Sequence, residues 1–409
     1  MEHVYASIDI GSDSIKVVVC ELYHNHLNLL AATSVPSKGI KKGLIVEPEL
    51  AKESIIKALK ETEAMLGVRI KKVIATVPSH FILYKIIKGE CKVAGDLITG
   101  NDMINSYKDG IKKNLTQNEE FVTVVPIDFT INGKTMIKDP KGFPGDDLIG
   151  RAMMVTAPKK NVYSVASIIE SIGVELVDIS VTSIGDINTF STKEISQNIS
   201  AIINIGGDMT TVSLYNKGIP ASTKIIGAGG KEIDKDLSYT YRISVEDARK
   251  IKENFALASD KNANKNEIYE VSDIEGKTLK LNQLDVSKIV KSRLSEILNL
   301  AKKEIGDLTN KQIQYIIVTG GVSNMLDFEY VLNDVMFTAK KGKVKLIGIR
   351  NNKYSTAIGN IIYFLNTLKL KGMDYSMLSE DDMDKLSSPK SNNNDETVLG
   401  KVFGYFFGE

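Results

Sequence analysis

The sequence predicts a duplicated α/β fold, with two related halves each built of strands alternating with helices. Three observations predict it. A strand, tight polar turn and second strand occur twice: Ile8 and Ile10 bracket Asp9 ahead of Gly11, Ser12, Asp13, Ser14 and the apolar run Val17 to Val19, and Ile203 and Ile205 bracket Asn204 ahead of Gly206, Gly207, Asp208, Thr210, Thr211 and the strand around Val212 and Leu214. The shift from Gly11 to Gly206 equals that from Asp9 to Asn204 and from Asp13 to Asp208. At 409 residues the chain is also too long for one comfortable core, so two or more domains are expected.

Each half continues with a short strand and a helical stretch, beginning near Glu49 in the first half and near Gly230 in the second. Val162 to Gly173 reads as an amphipathic helix and Val286 to Ile305 as a longer one. Tyr315 to Val318 is a buried strand feeding Thr319, Gly320, Gly321, Val322, Ser323 and Asn324, a Gly-Gly turn expected to lead into a helix. Strands alternating with helices argue α/β throughout.

Composition removes several function classes. A formal net charge of +1 gives no field to attract nucleic acid, and the lysine pairs are scattered without interleaved aromatics. Cys20 and Cys91 stand in no metal or disulfide spacing, which suits a reducing compartment. No secretory signal opens the sequence and no apolar run is long enough to span a bilayer, so membrane contact is expected to be peripheral. His24 and His26 flank an expected turn and lack a third ligand.

Residues 371–397 are rich in Ser, Asp and Asn and are expected to be a disordered linker. Residues 398–409 then recover apolar character. Val398, Leu399, Val402, Phe403, Tyr405, Phe406 and Phe407 cover one broad side at helical spacing, which predicts an amphipathic helix formed on a membrane surface.

On the first hairpin, Asp9, Gly11, Ser12, Asp13, Ser14 and Lys16 follow an order suited to a nucleotide's phosphates. Gly11 permits close backbone approach, amides and hydroxyls donate to oxygens, and Lys16 adds positive charge. Asp9 is placed to hold the waters of a magnesium ion, and Asp208 to serve it from the second hairpin, which can close from the opposite side. Gly-Ser-Asp and Gly-Gly-Asp turns are common hairpin chemistry when taken singly. Their matched pairing with the Gly320-Gly321 turn is not.

Asp9 to Lys16, Asn204 to Thr211 and Val318 to Met325 resemble the two phosphate motifs and the adenosine motif of the superfamily of actin, heat-shock chaperones and hexokinase. Val125-Pro126-Ile127-Asp128-Phe129, Asp139-Pro140-Lys141-Gly142, Ile149-Gly150-Arg151-Ala152, Gly229-Gly230-Lys231-Glu232-Ile233, Val245-Glu246-Asp247-Ala248 and Tyr354-Ser355-Thr356-Ala357-Ile358-Gly359 extend that likeness across nearly all of residues 4–366. They are similar to the FtsA family of bacterial cell-division proteins.

The resemblance implies an actin-like (ribonuclease H-like) duplicated fold: one core subdomain at 1–83 and 161–199, a family-specific insert at 84–160, a second core subdomain at 200–228 and 311–370, and a smaller subdomain at 229–310. It implies binding of ATP and Mg2+ by Asp9, Gly11, Ser12, Asp13, Ser14, Lys16, Asn204, Gly206, Gly207, Asp208, Thr210, Gly229, Gly230, Lys231, Gly320, Gly321, Val322 and Ser323. The family has Asp where this chain has Asn204, and an amide cannot organise magnesium and water as a carboxylate does, so hydrolysis is expected to be slow at most. Asp186, before the second hairpin, is the candidate for positioning water. The resemblance further implies protofilaments joined through the insert, docking of the carboxy-terminal peptide of the tubulin-like protein FtsZ at Arg293, and anchorage at the cytoplasmic face of the division septum. A kinase of the same superfamily would need an acceptor pocket with a catalytic carboxylate between the halves. A pilus or shape scaffold would need neither insert nor tail.

Overall fold

The computed structural model describes residues 3–387. Two five-stranded sheets organise the chain and share one strand order. In the first, Glu175–Val181, Lys72–Val77, His3–Ile10, Ser14–Tyr23 and His26–Pro36 lie side by side; in the second the sequence is Ala339–Lys341, Tyr315–Thr319, Ile199–Ile205, Thr210–Asn216 and Ile219–Ile226. Each has three antiparallel strands followed by two parallel ones. The duplication holds in the register, since Asp9 faces Lys16 and Ile8 faces Val17 in one hairpin, while Asn204 faces Thr211 and Ile203 faces Val212 in the other.

The central strands are apolar on both faces because helices cover both. On the first sheet lies Pro48–Leu66, which starts on a proline, ends on Gly67 at φ 80° and buries Ala51, Ile55, Ala58 and Leu59. The second sheet is covered by Gln283–Leu308, capped by the Asn282 side chain and burying Val286, Val290, Leu294, Ile297 and Ala301. The opposite faces are covered by exchange. Helix Thr182–Phe190, which follows the first sheet in sequence, packs on the second sheet, and Ser355–Lys371, which follows the second, packs on the first.

Those exchanged helices meet between the halves. A Cβ at Gly359 would overlap the Gly185 carbonyl, and one at Gly185 would lie 2.5 Å from the Thr356 carbonyl, so both positions require glycine. The insert is an antiparallel sheet, Leu83–Lys92, Asp147–Pro158, Glu119–Ile131 and Lys134–Ile137 in that order, backed by helix Gly100–Asn114 with its Thr99–Asp102 capping box. The smaller subdomain contains helices Gly230–Tyr241 and Val245–Asn254, the start of Gln283–Leu308 and the hairpin Ile268–Ser272 with Thr278–Asn282.

One expectation is corrected. Residues 372–387, expected to be disordered, form a strap against the first half. Polar composition concealed three apolar anchors: Tyr375 packs against the core, and Met377 and Leu378 are buried in it. Met377 N donates to the Val4 carbonyl at 2.9 Å, and Tyr5 donates its hydroxyl to the Tyr375 carbonyl at 2.7 Å. The strap ends in helix Glu380–Ser387, whose Asp382 is bonded by Ser379 and Lys71. The amphipathic helix expected at Val398 to Phe407 lies outside the described residues.

Truncating the deepest anchor, Met377→Ala, should lower stability by about 2–5 kcal/mol, the usual cost of emptying a buried aliphatic site. The midpoint of urea unfolding measures it, and an unmoved midpoint would mean the strap adds nothing to the core.

Candidate nucleotide site

The two hairpins point their turns at one another across a cleft between the halves. In both, the turn is closed by the same bond: Gly11 N to Ser14 O at 3.3 Å and Gly206 N to Met209 O at 2.9 Å. The hairpins touch so closely that a Cβ on Gly207 would stand 2.6 Å from that of Asp13. Lys231 Nζ spans the gap, pairing with Asp208 at 2.8 Å and donating to the Ser12 carbonyl at 3.0 Å. From the first half, Lys42 N donates to Asp208 Oδ2 at 3.0 Å, and Gly43 N donates to Ser12 Oγ at 2.6 Å.

Beyond this contact opens a cavity of about 520 Å³, lined by Asp9, Asp13, Ser14, Lys16, Asn204, Gly206, Gly207, Gly230, Gly320, Gly321 and Val322 among others. A smaller lobe of about 110 Å³ reaches Gly11, Ser12 and Asp208. Gly320 holds φ 91°, a conformation that disfavours a side chain, and a Cβ there would come within 2.6 Å of Asn204 Oδ1. The turn runs into a single 3-10 turn, Gly321–Asn324, and the expected helix begins only at Phe328. Thr210, Gly229 and Ser323 stand behind the surface. Thr210 donates to Ala228 O, Gly229 fits against the Gly206 and Gly207 carbonyls, and Ser323 donates to Gly320 O.

Most of the cleft's charges are already matched. Lys16 pairs with Asp9 at 3.1 Å, Arg249 with Asp13 at 3.1 Å and with Glu253 at 2.9 Å, and Lys252 with Asp234 at 2.6 Å. Burial raises the pKa of Asp234, while Lys252 works against the rise. Among the described residues no three His, Cys, Asp or Glu side chains form a metal cluster. Three carboxylates, Asp9, Asp13 and Asp208, flank the smaller polar lobe, which suits an ion that arrives with a ligand and keeps its waters.

A family model described as cell division protein FtsA matches residues 201–359, and one described as type IV pilus assembly protein PilM matches residues 7–267. The relative from Bacillus subtilis, "Cell division protein FtsA", is 28% identical over 90% of this chain and 85% of its own length. That from Enterococcus hirae, of the same description, is 25% identical over 89% and 83%. These alignments run through both halves and the insert. The chain is thus similar to FtsA proteins over about nine-tenths of its length. Solved structures share the fold: the PilM-PilN type IV pilus biogenesis complex superposes with a TM-score of 0.58 at 14% identity, covering 91% of this chain and 99% of that one. MreB5 of Spiroplasma citri bound to ADP gives 0.54 at 13%, covering 91% and 99%. The chain therefore has the actin-like fold.

Sequence reasoning missed Arg249, Lys252 and Glu253, which line the cleft from helix Val245–Asn254. Their spacing of three and four residues on one helix face was the available signal. Lys353 was missed too.

Asp186 is corrected. It is 2% exposed on Thr182–Phe190 and does not line the cleft. Its carboxylate accepts from Asn204 Nδ2 at 2.7 Å and from the Ser355 and Thr356 hydroxyls at 2.9 Å each, so it orients Asn204 from behind the cleft. Burial raises its pKa to about 6, the three donors opposing and Asp9 adding. Arg293 lies on Gln283–Leu308 with its guanidinium held by Asp236 at 2.6 and 2.8 Å and by Glu296 at 2.7 Å.

An acid whose folded pKa is raised stabilises the fold below its unfolded pKa and loses that contribution as pH climbs through the folded value. Between about pH 4 and 6 the stability advantage of the natural chain over Asp186→Asn should therefore shrink by about 1.4 kcal/mol per pH unit. Urea titrations at pH 4, 5 and 6 read this difference directly. A gap that stays constant would place the carboxylate's titration elsewhere.

Proposed function

We propose that this chain is an ATP-binding cell-division protein that assembles through its insert and anchors the FtsZ ring to the cytoplasmic face of the membrane. The convergence of two register-matched hairpins on one cleft, facing the Gly320 turn, carries the nucleotide part. Asp9 and Asp208 would hold an accompanying magnesium ion through its waters, and Lys16 and Lys231, which now pair with them, would serve the phosphates. The ADP named with MreB5 supports a nucleotide in this fold, and the FtsA description of the relatives supports the division role.

Slow turnover follows from the pair Asn204 and Asp186. The negative charge stands behind the cleft surface, so no carboxylate at position 204 activates water. A pilus-type scaffold is favoured only by the longer PilM match and shares the nucleotide prediction.

Membrane and partner contacts extend the reading. Among the described residues no helix is long and apolar enough to cross a membrane. The peripheral contact is assigned to Val398, Leu399, Val402, Phe403, Phe406 and Phe407 by their helical spacing in the sequence. The FtsZ carboxy-terminal peptide is assigned to the smaller subdomain, where an acidic ligand must compete with Asp236 for Arg293.

ATP with magnesium at 100 times its Kd should add about 2.7 kcal/mol of stability. Thermal melting tests this, and no shift at millimolar ATP defeats the nucleotide reading. Steady-state hydrolysis should fall below the ordinary enzyme range of roughly 1–1000 per second. Replacing Phe403 and Phe406 by Glu should shift the protein from the liposome pellet to the supernatant while leaving the ATP-induced melting shift intact; continued sedimentation would refute the tether.

A further inference from the structure

The insert is held by both halves, and its hold on the second runs along the hairpin whose turn faces the cleft. Residues 78–84 lead from the strand Lys72–Val77 into the insert strand Leu83–Lys92. At their start Pro78 and Ser79 line the smaller lobe of the cavity. His80 then reaches the turn of the second hairpin, its Nε2 standing 3.1 Å from Met209 Sδ. Further on, the Tyr84 hydroxyl lies 2.8 Å from Thr223 Oγ1 and 2.8 Å from Ser183 Oγ. Thr223 pairs with Ser213 across the strands Ile219–Ile226 and Thr210–Asn216, and their hydroxyls are 3.0 Å apart. Met209 immediately precedes the strand Thr210–Asn216 and Ser213 stands at its middle, so the segment follows that strand away from the cleft and is fastened along it twice.

Another strand of the insert answers to the first half. Tyr363, on the helix Ser355–Lys371 that covers the first sheet, donates to the Val124 carbonyl at 2.9 Å, and its hydroxyl also meets Thr123 Oγ1. Val124 and Thr123 belong to Glu119–Ile131, which Asp147–Pro158 separates from the edge strand Leu83–Lys92. Between the two fastenings on the second hairpin, Phe81 is 78% exposed at φ 57°. A bulky side chain keeps that left-handed conformation only where its surroundings impose it. Here the His80 carbonyl accepts from Asn161 Nδ2 at 3.1 Å on one side, and Tyr84 is bonded on the other.

We propose that residues 78–84 couple the cleft to the insert: a ligand that draws the second hairpin inward carries the edge strand Leu83–Lys92 with it, through His80 and the Tyr84 hydroxyl, and so reorients the insert against the first half. The ligand is the nucleotide of the reading above, on which this inference rests. The coupling works in both directions, because a ligand biases such an element only by binding its two positions unequally. A partner that grips the insert therefore alters affinity at the cleft.

Hydrogen exchange of the whole chain, with and without ATP and magnesium, tests this in the natural protein, Tyr84→Phe and Thr223→Val. Each substitution removes one hydroxyl of the same contact and keeps the shape of its side chain. In the natural protein ATP slows exchange at residues 206–211 and at Leu83–Lys92. In each variant the calorimetric affinity for ATP stays within about twofold, as for a site remote from the ligand, and the slowing at residues 206–211 persists. The slowing at Leu83–Lys92 falls by about twofold or more, the scale of one hydrogen bond. Undiminished slowing there in Tyr84→Phe, or a loss that Thr223→Val does not share, overturns the coupling. So does a natural protein slowed at residues 206–211 and not at Leu83–Lys92. Thr223→Val decides alone if Tyr84→Phe fails to fold. Slowing at neither place, with no ATP binding, would instead reject the nucleotide reading and this inference with it.

Discussion

The structure depends on the crossing of two helices, Thr182–Phe190 and Ser355–Lys371, where Gly185 and Gly359 bring their backbones into contact. Each helix comes from one half and covers the sheet of the other, so neither half completes its core alone. Any residue larger than glycine at the crossing would push the halves apart and misplace both hairpins. The same crossing buries Asp186 beside Ser355, Thr356 and Asn204, which ties the polar chemistry of the cleft to the packing beneath it.

A second constraint is electrostatic. Three of the cleft's acids, Asp9, Asp13 and Asp208, are each paired with a base of the same site. With these pairs formed, the cleft is close to neutral inside, and a bare anion would have to displace carboxylates to reach Lys16, Arg249 or Lys231. A ligand that brought its own divalent ion would avoid that cost, because the acids could face the hydrated ion and leave the bases to the ligand's anionic groups. The Asp13–Arg249 pair also crosses the cleft, so exchanging partners there alters how firmly the halves are held together.

The duplicated hairpins were legible in the sequence down to their register, because strand and turn chemistry is local. Asn204 was legible as a departure, yet its counterweight was not. Ser355 and Thr356, which fix Asp186, lie 169 and 170 residues further along the chain, and no local pattern connects them. Arg249 followed directly on a stretch noted for its resemblance, but only the folded helix shows that it reaches Asp13. Residues 372–387 misled for another reason. Average composition predicts disorder well for long segments, whereas three apolar side chains with a matching groove suffice to order a short one.

The strap has a mechanical consequence. Residues 375–377 are bonded to Val4 and Tyr5, at the start of the strand His3–Ile10, and that strand carries Asp9 at its far end. A force pulling on the chain beyond residue 387 is thus delivered to the foot of a central strand that is stiff in tension, whose head borders the cleft. Traction at the tail and ligand occupancy at the hairpin act on opposite ends of one eight-residue rod.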